Sequence, residues 1–301
     1  MKTTLTSNLR PLLRALYPFL IATAALWAMP KNTSAQLYVI EPGFGVVGKY
    51  DAKTGAAISP SFITGLNAAN WLAVKGNTLF VSSPDFSDFS TVCKYNATTG
   101  AAINASFITG LNFPEGLAVL GNTLFVVNFG TSPVGTGTVS KYDATTGAAI
   151  SLSFITGLNV PFGLAVSGNT LFVSDVAGFG VGDDFVGKYD ATTGAAISPS
   201  FITGLNFPVA LAVLGNTLFV TNTFGGTVGK YDATTGAAIS LSFITGLNAP
   251  AGLAVLGNTL FVATNSDGTV GKYDAKTGAA INANFITGLS FPLALAVKSA
   301  K

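Results

Sequence analysis

From Leu37 onward the chain alternates short apolar runs with spacers rich in glycine, asparagine and threonine. Four kinds of run recur in fixed order: Leu-Ala-Val, Thr-Leu-Phe-Val, Thr-Val-x-Lys-Tyr-Asp and Ala-Ala-Ile-x-x-Ser-Phe-Ile. Each predicts a short β-strand, and we call the four positions a, b, c and d. The spacers predict tight turns. Gly-Asn suits a two-residue hairpin that requires positive φ. Asp-Ala-Thr-Thr-Gly supplies an aspartate to cap a turn and a glycine for its left-handed residue.

The four strands form one unit, and the unit repeats. Lys-Tyr-Asp-Ala-x-Thr-Gly begins at Lys49, Lys94 (where Asn96 replaces the aspartate), Lys141, Lys188, Lys230 and Lys272, at intervals of 45, 47, 47, 42 and 42 residues. Phe-Ile-Thr-Gly-Leu follows each time, from Phe62, Phe107, Phe154, Phe201, Phe243 and Phe285. Six four-stranded units of this length predict an all-β fold, a six-bladed β-propeller of antiparallel blades. The phase predicts how the ring closes. The repeats begin at strand b (Leu37) and end at strand a (Leu295 to Val297), so the C-terminal strand joins the first blade. An open solenoid would instead need polar caps.

The pattern Pro-x-Gly-Leu-Ala-Val-x-Gly-Asn-x-Leu-Phe-Val followed by Val-x-Lys-Tyr-Asp resembles the NHL repeat family, of the secreted bacterial type. Pro114 to Val126 with Val139 to Asp143 is the best copy. The resemblance spans nearly all of residues 37–298 and implies a ligand- or protein-binding platform, although some relatives are enzymes. The Gly-His and Trp-Asp signature of WD-type propellers is missing.

Residues 1–35 read as a secretory signal peptide, leaving 36–301 as the propeller domain. Lys2, Arg10 and Arg14 precede the apolar stretch Ala15 to Met29, and Thr33-Ser34-Ala35 is a small-residue cleavage site, with Ala25 to Ala28 as a second. This predicts a secreted or periplasmic protein with no membrane insertion after cleavage, starting at Gln36. The formal charge of +2 belongs to the whole chain. Removing Lys2, Arg10, Arg14 and Lys31 leaves 11 lysines against 13 acids, a net of −2. An arginine-free, slightly acidic chain is a poor nucleic-acid binder. With no histidine, the single Cys93 reads as a small buried thiol rather than a nucleophile.

In such a propeller strand a lines the channel, so the d–a and b–c connections share one face and the a–b and c–d turns share the other. The first face carries the sequence variation, and loops on a rigid scaffold are where binding resides. It also takes Glu41, Asp85, Asp88, Glu115, Asp175, Asp183, Asp184 and Asp267, eight of the 13 acids, and no lysine. It is therefore expected to attract a protein, a peptide or a small cationic ligand onto a monomer, as a non-catalytic binding or surface-scaffold propeller.

Aligning the units yields two rings. Glu41, Ser83, Asn128, Asp175, Asn222 and Thr264 follow strand b, and Asn70, Glu115, Phe162, Val209, Ala251 and Leu293 precede strand a. Trp71 stands where other units carry glycine or alanine. The expected ligand-binding residues are Glu41, Trp71, Glu115, Asn128, Asp175 and Asn222, with no catalytic residue and no cofactor. The alternative is a metal-dependent hydrolase resembling gluconolactonases. The oxygens of Glu41, Asn128, Asp175 and Asn222 would then hold a divalent cation such as calcium at the channel mouth, or else cap strand ends. Propeller lyases that use histidine are excluded. The loop from Asp175 to Asp184 lacks the Asp-x-Asp-x-Asp-Gly spacing of a calcium loop. Asn96-Ala97-Thr98 and Asn104-Ala105-Ser106 match the glycosylation tripeptide.

Overall fold

A computed structural model describes residues 34–84, 90–130, 135–176 and 184–300. The described residues form six four-stranded antiparallel sheets. Five blades take four strands consecutive in the chain. The first blade takes Leu295–Lys298, Gln36–Glu41, Val46–Asp51 and Ala57–Ile63, so the last strand of the chain is innermost in the blade that opens it. Register runs from Gln36 opposite Lys298 to Val39 opposite Leu295. The six-bladed, end-to-end closed architecture is as the repeats predict. A 3-10 turn, Pro42–Phe44, joins strands b and c of blade 1.

The signal-peptide reading falls almost wholly on residues 1–33, outside the described residues. Ala35, the last residue of that segment, already takes part in the fold. Its carbonyl accepts from Ala52 N at 2.9 Å, as Asn77 O accepts from Ala97 N. It thus stands in for the turn asparagine of the other blades.

The turns fold as their residue types require. Asp143 Oδ1 accepts from Thr145 N (2.9 Å) and Thr146 N (2.7 Å), while Oδ2 accepts from Asn122 Nδ2 at 2.6 Å. One carboxylate therefore shapes the c–d turn and ties it to the a–b turn. These hydrogen bonds favour the ionised form and hold the Asp143 carboxyl below its ordinary value. Gly147, at φ +78°, closes the turn, and a Cβ there would sit 2.5 Å from Phe107 O of the preceding blade. Only glycine meets both demands.

A repeated aromatic pair with a lysine over it joins the blades. Tyr38, Phe80, Phe125, Phe172, Phe219 and Phe261 on strands b are fully buried. Each meets the strand-d phenylalanine of its own blade at ring centroids of 5.6–5.8 Å. The strand-c lysine places its ammonium 4.4–4.8 Å from the centroid of that outer ring. It then reaches into the next blade: Lys94 Nζ donates to Ala144 O (3.1 Å) and Thr145 O (2.8 Å). Lys272 in blade 6 does the same to Ala52 O (3.4 Å) and Lys53 O (3.0 Å) of blade 1, completing the circle. Burial lowers the pKa of Lys49, Lys94, Lys230 and Lys272, yet each carries the charge that these carbonyls and rings call for. Facing outward, Ile58, Ile103, Ile150, Ile197, Ile239 and Ile281 are exposed on the outermost strands.

Candidate functional site at the channel mouth

The loops leading into strands a bring Asn70, Glu115, Phe162, Val209, Ala251 and Leu293 around one cavity of about 360 Å³. The ring derived by aligning the units is therefore a real ring of side chains, one from each blade. Trp71, Phe207, Thr223, Phe224, Ala249 and Asn265 complete the lining. A local backbone device shapes these loops. Ala68, Phe113, Phe207, Ala249 and Phe291 adopt left-handed φ values of 47–55°. In three of them the carbonyl then accepts an amide from the b–c loop: Phe129 N to Phe113 O (3.1 Å), Thr223 N to Phe207 O (3.1 Å) and Asn265 N to Ala249 O (3.0 Å). A bulky side chain at positive φ is uncommon and costs about 1–3 kcal/mol, so the surrounding hydrogen bonds must hold it there.

Among the described residues Glu115 is the one titratable group in the lining. It is half-buried, and Asn70 Nδ2 donates to its Oε1 (3.0 Å) and Oε2 (3.3 Å). Burial pushes its carboxyl up to about 7, against the opposing pull of the Asn70 amide. Beside it runs a chain of rings. Phe129 meets Phe162 edge-on at 5.5 Å, Phe162 meets Phe207 at 5.4 Å, and Phe207 stacks on Phe224 at 4.3 Å with 23° between planes. Phe224 is 66% exposed. Phe207 is fixed from the backbone side, where its amide donates to Asp184 Oδ2 at 2.6 Å.

Trp71 reaches the same cavity but is buried, 7% exposed, with its amide donating to Ser82 Oγ at 3.0 Å. It acts as wall rather than as an open platform. Phe207 and Phe224 were not singled out by the sequence. The available signal was the Asn-Phe-Pro tripeptide at 206–208 and a phenylalanine in the b–c turn Thr-Phe-Gly-Gly. Neither says that the two rings stack.

The first ring behaves differently. All six residues are buried, and each is bonded within its blade or to the loop that enters that blade's strand a. Glu41 Oε2 accepts from Ser290 N (2.7 Å), and Asn222 Oδ1 accepts from Asn206 N (3.2 Å). Asp175 Oδ1 accepts from Asn159 N (3.1 Å) and Val160 N (2.7 Å). Ser83 Oγ donates to Asn67 O, and Thr264 Oγ1 meets Thr269 Oγ1 at 2.6 Å. Asn128 Nδ2 donates to Ser140 Oγ (2.9 Å), while its Oδ1 is buried without a partner. The capping role weighed in the sequence is the one these contacts describe. Among the described residues no three of Asp, Glu, Cys and His gather as a metal ion would require.

Of the eight acids expected on one face, the five described are less open than their number suggests. Asp85, Asp88 and Asp183 lie outside the described residues, as does most of the loop from Asp175 to Asp184. Glu41 and Asp175 are buried, Glu115 and Asp184 half-buried, and Asp267 is exposed, accepting from Asn248 Nδ2 at 3.0 Å. Cys93 is buried as expected and donates to Ala105 O at 3.0 Å. Of the two glycosylation tripeptides, Asn104 is exposed and Asn96 is half-buried at the end of its strand, where its Oδ1 accepts from Thr98 N of the following turn.

No family model and no curated protein matches the sequence. Solved structures do match in shape. A chain in the crystal structure of a nidogen/laminin complex superposes with a TM-score of 0.74 over 89% of this chain and 100% of that one, at 13% identity. The computationally designed Ika8 protein superposes with a TM-score of 0.51 over 85% of this chain and 73% of the designed one, at 18% identity. At such identities the likeness shows the fold, and the chain is a six-bladed β-propeller.

Proposed function

We propose that this protein is a secreted or periplasmic, non-catalytic binding propeller of NHL-repeat-like type, acting as a monomer through its loop face with the channel mouth as the site. One observation carries the reading: six unrelated side chains, one per blade, replace the near-identical residues found elsewhere in the repeats, and together they line a single cavity. Its volume falls in the range of about 300–1,000 Å³ typical of ligand sites, with apolar walls and few polar groups. That a propeller of this shape occurs in a nidogen/laminin complex supports a protein or peptide as one class of partner. The hydrolase alternative gains no such support, because Glu41, Asp175 and Asn222 of the first ring accept from loop amides, which leaves Asn128 Oδ1 alone without a partner.

A thermal-shift screen of small molecules and peptides tests this. Hits should disappear in Phe224→Ala and Glu115→Gln and persist when Lys53 and Lys276 on the opposite face become alanine. Hits that ignore the mouth variants and vanish with the lysine pair would move the site to the turn face.

A further inference from the structure

We infer that the channel mouth is built for one organic ammonium group, on a free alkylamine or on a lysine side chain, with the charge on Glu115 and the alkyl groups against Phe162, Phe207 and Phe224. The inference rests on the mouth being the binding site and adds the chemistry of its ligand. Among the described residues the lining holds one carboxyl and no basic residue, and the described lysines lie on strands c or at or near the opposite turns. Asn70 steadies the carboxyl through a neutral amide, so its charge is left for the ligand to balance. Around it the walls are apolar or aromatic, apart from Asn70, Thr223 and Asn265.

This combination discriminates among ligands. A calcium ion takes six to eight oxygens, more than one carboxylate with Asn70, Thr223 and Asn265 among apolar walls supplies, and a magnesium ion keeps its waters, which such walls do not hydrogen-bond. An anion meets Glu115 and no donor of positive charge. A neutral polar molecule such as a sugar would leave hydroxyls against apolar walls. An alkylammonium fits both halves, because aromatic faces attract a cation and also pack against its methylenes or methyls. Phe224, exposed and stacked on Phe207, offers a ring face at the rim.

Proton uptake by Glu115 competes with such a ligand. The strands packed against its own are Trp71–Lys75, Thr78–Ser83, Thr123–Asn128 and Val160–Ser167. They carry one titratable group, Lys75, at the far end of its strand on the turn face. With a carboxyl near 7, affinity for a permanent cation should rise about tenfold between pH 6 and pH 8.

The test is calorimetric titration of the full chain at constant ionic strength with tetramethylammonium, n-butylammonium, N-acetyl-lysine methylamide and, as the neutral shape, tert-butanol. The ammonium compounds should saturate and tert-butanol should not. Glu115→Gln should weaken binding about tenfold or more with the melting temperature kept, and Phe224→Ala about three- to tenfold. Should Glu115→Gln fail to fold, Phe224→Ala and the pH series still decide. Tighter binding of the lysine derivative assigns a peptide side chain as the source, and tighter binding of the free amines assigns a small metabolite. The inference falls if the ammonium compounds do not saturate, if tert-butanol matches them, or if affinity ignores both pH and Phe224. Neutral or anionic screening hits that depend on Phe224 would overturn the ammonium inference and leave the site standing. Hits answering only to Lys53 and Lys276 would remove both.

Discussion

Asp175 and Asn222 occupy the same place in two blades and meet the same need, an acceptor for the amides of the loop entering strand a. Asn222 does so without charge, whereas Asp175 is fully buried and its carboxyl is pushed up to about 6 by loss of solvent, against the pull of the Asn159 and Val160 amides. The unfolded reference is 3.8, so between about pH 4 and pH 6 the native state binds more protons than the unfolded chain. Stability from this group is complete below the unfolded value and is lost as pH rises through the folded one, by up to roughly 3 kcal/mol. Glu115 has the same sign, over a window from 4.5 to about 7. Asp51, Asp143, Asp190, Asp232 and Asp274 are held low by their turns and act oppositely, losing stability as pH falls through their folded values. The melting temperature should therefore peak near pH 4–5 and decline toward pH 8. Asp175→Asn keeps the accepting oxygen, so it should fold and flatten the decline. A melting temperature level from pH 5 to pH 8, or an unchanged slope in the variant, would contradict this. The sequence marked Asp175 and Glu115 as candidates and the turn aspartates as caps, but the burial of the first two depends on residues 15 to 45 positions away and was not legible.

Strands, turns and their order were legible because each is specified within four to eight neighbouring residues. What holds one blade to the next was less so. The sequence showed a lysine on every strand c and a phenylalanine at two places per unit, but the lysine's acceptors belong to the following unit, 45 to 51 residues away for Lys94, Lys141, Lys188 and Lys230 and across the chain ends for Lys272. A backbone carbonyl leaves no mark in a residue pattern. The contact can be weighed directly. Lys188 Nζ donates to Ala233 O (3.0 Å) and Thr234 O (2.8 Å) and lies 4.6 Å from the Phe201 centroid. Lys188→Met retains the stem's packing and removes the charge, so it should cost about 1.5–3 kcal/mol in urea unfolding, as for other hydrogen bonds to a charged group. Lys94→Met and Lys230→Met, in blades with no shared clamp, should add within about 0.5 kcal/mol when combined. A neutral single variant would mean that the carbonyls are equally well served by water.

A closed ring differs from a stack of repeats in that its ends are each other's neighbours, and here one short strand makes the difference. Leu295–Lys298 supplies the innermost strand of blade 1, and Leu295 and Ala296 are buried. Just before it, Leu293 N donates to Ile40 O and Ile40 N to Ala294 O, both at 3.0 Å. Lys298 Nζ then reaches blade 2, donating to Asn77 Oδ1 (2.8 Å) and Thr98 Oγ1 (3.1 Å). Deleting residues 293–301 would uncover one edge of Gln36–Glu41, a strand buried along its whole length. An apolar strand edge exposed in this way invites pairing with another copy. The truncated chain should therefore run as oligomers or aggregates in size-exclusion chromatography with light scattering and lose its single sharp melting transition. Deleting residues 299–301 alone should do neither, because Ser299 and Ala300 are exposed and lie beyond the last strand. A synthetic peptide of residues 293–300 added to the longer truncation should restore a monomeric ring with the peptide bound, since only the covalent link is missing. If the truncated chain remains monomeric with an unchanged transition, the six blades are held by their neighbour contacts alone and the joining strand is dispensable.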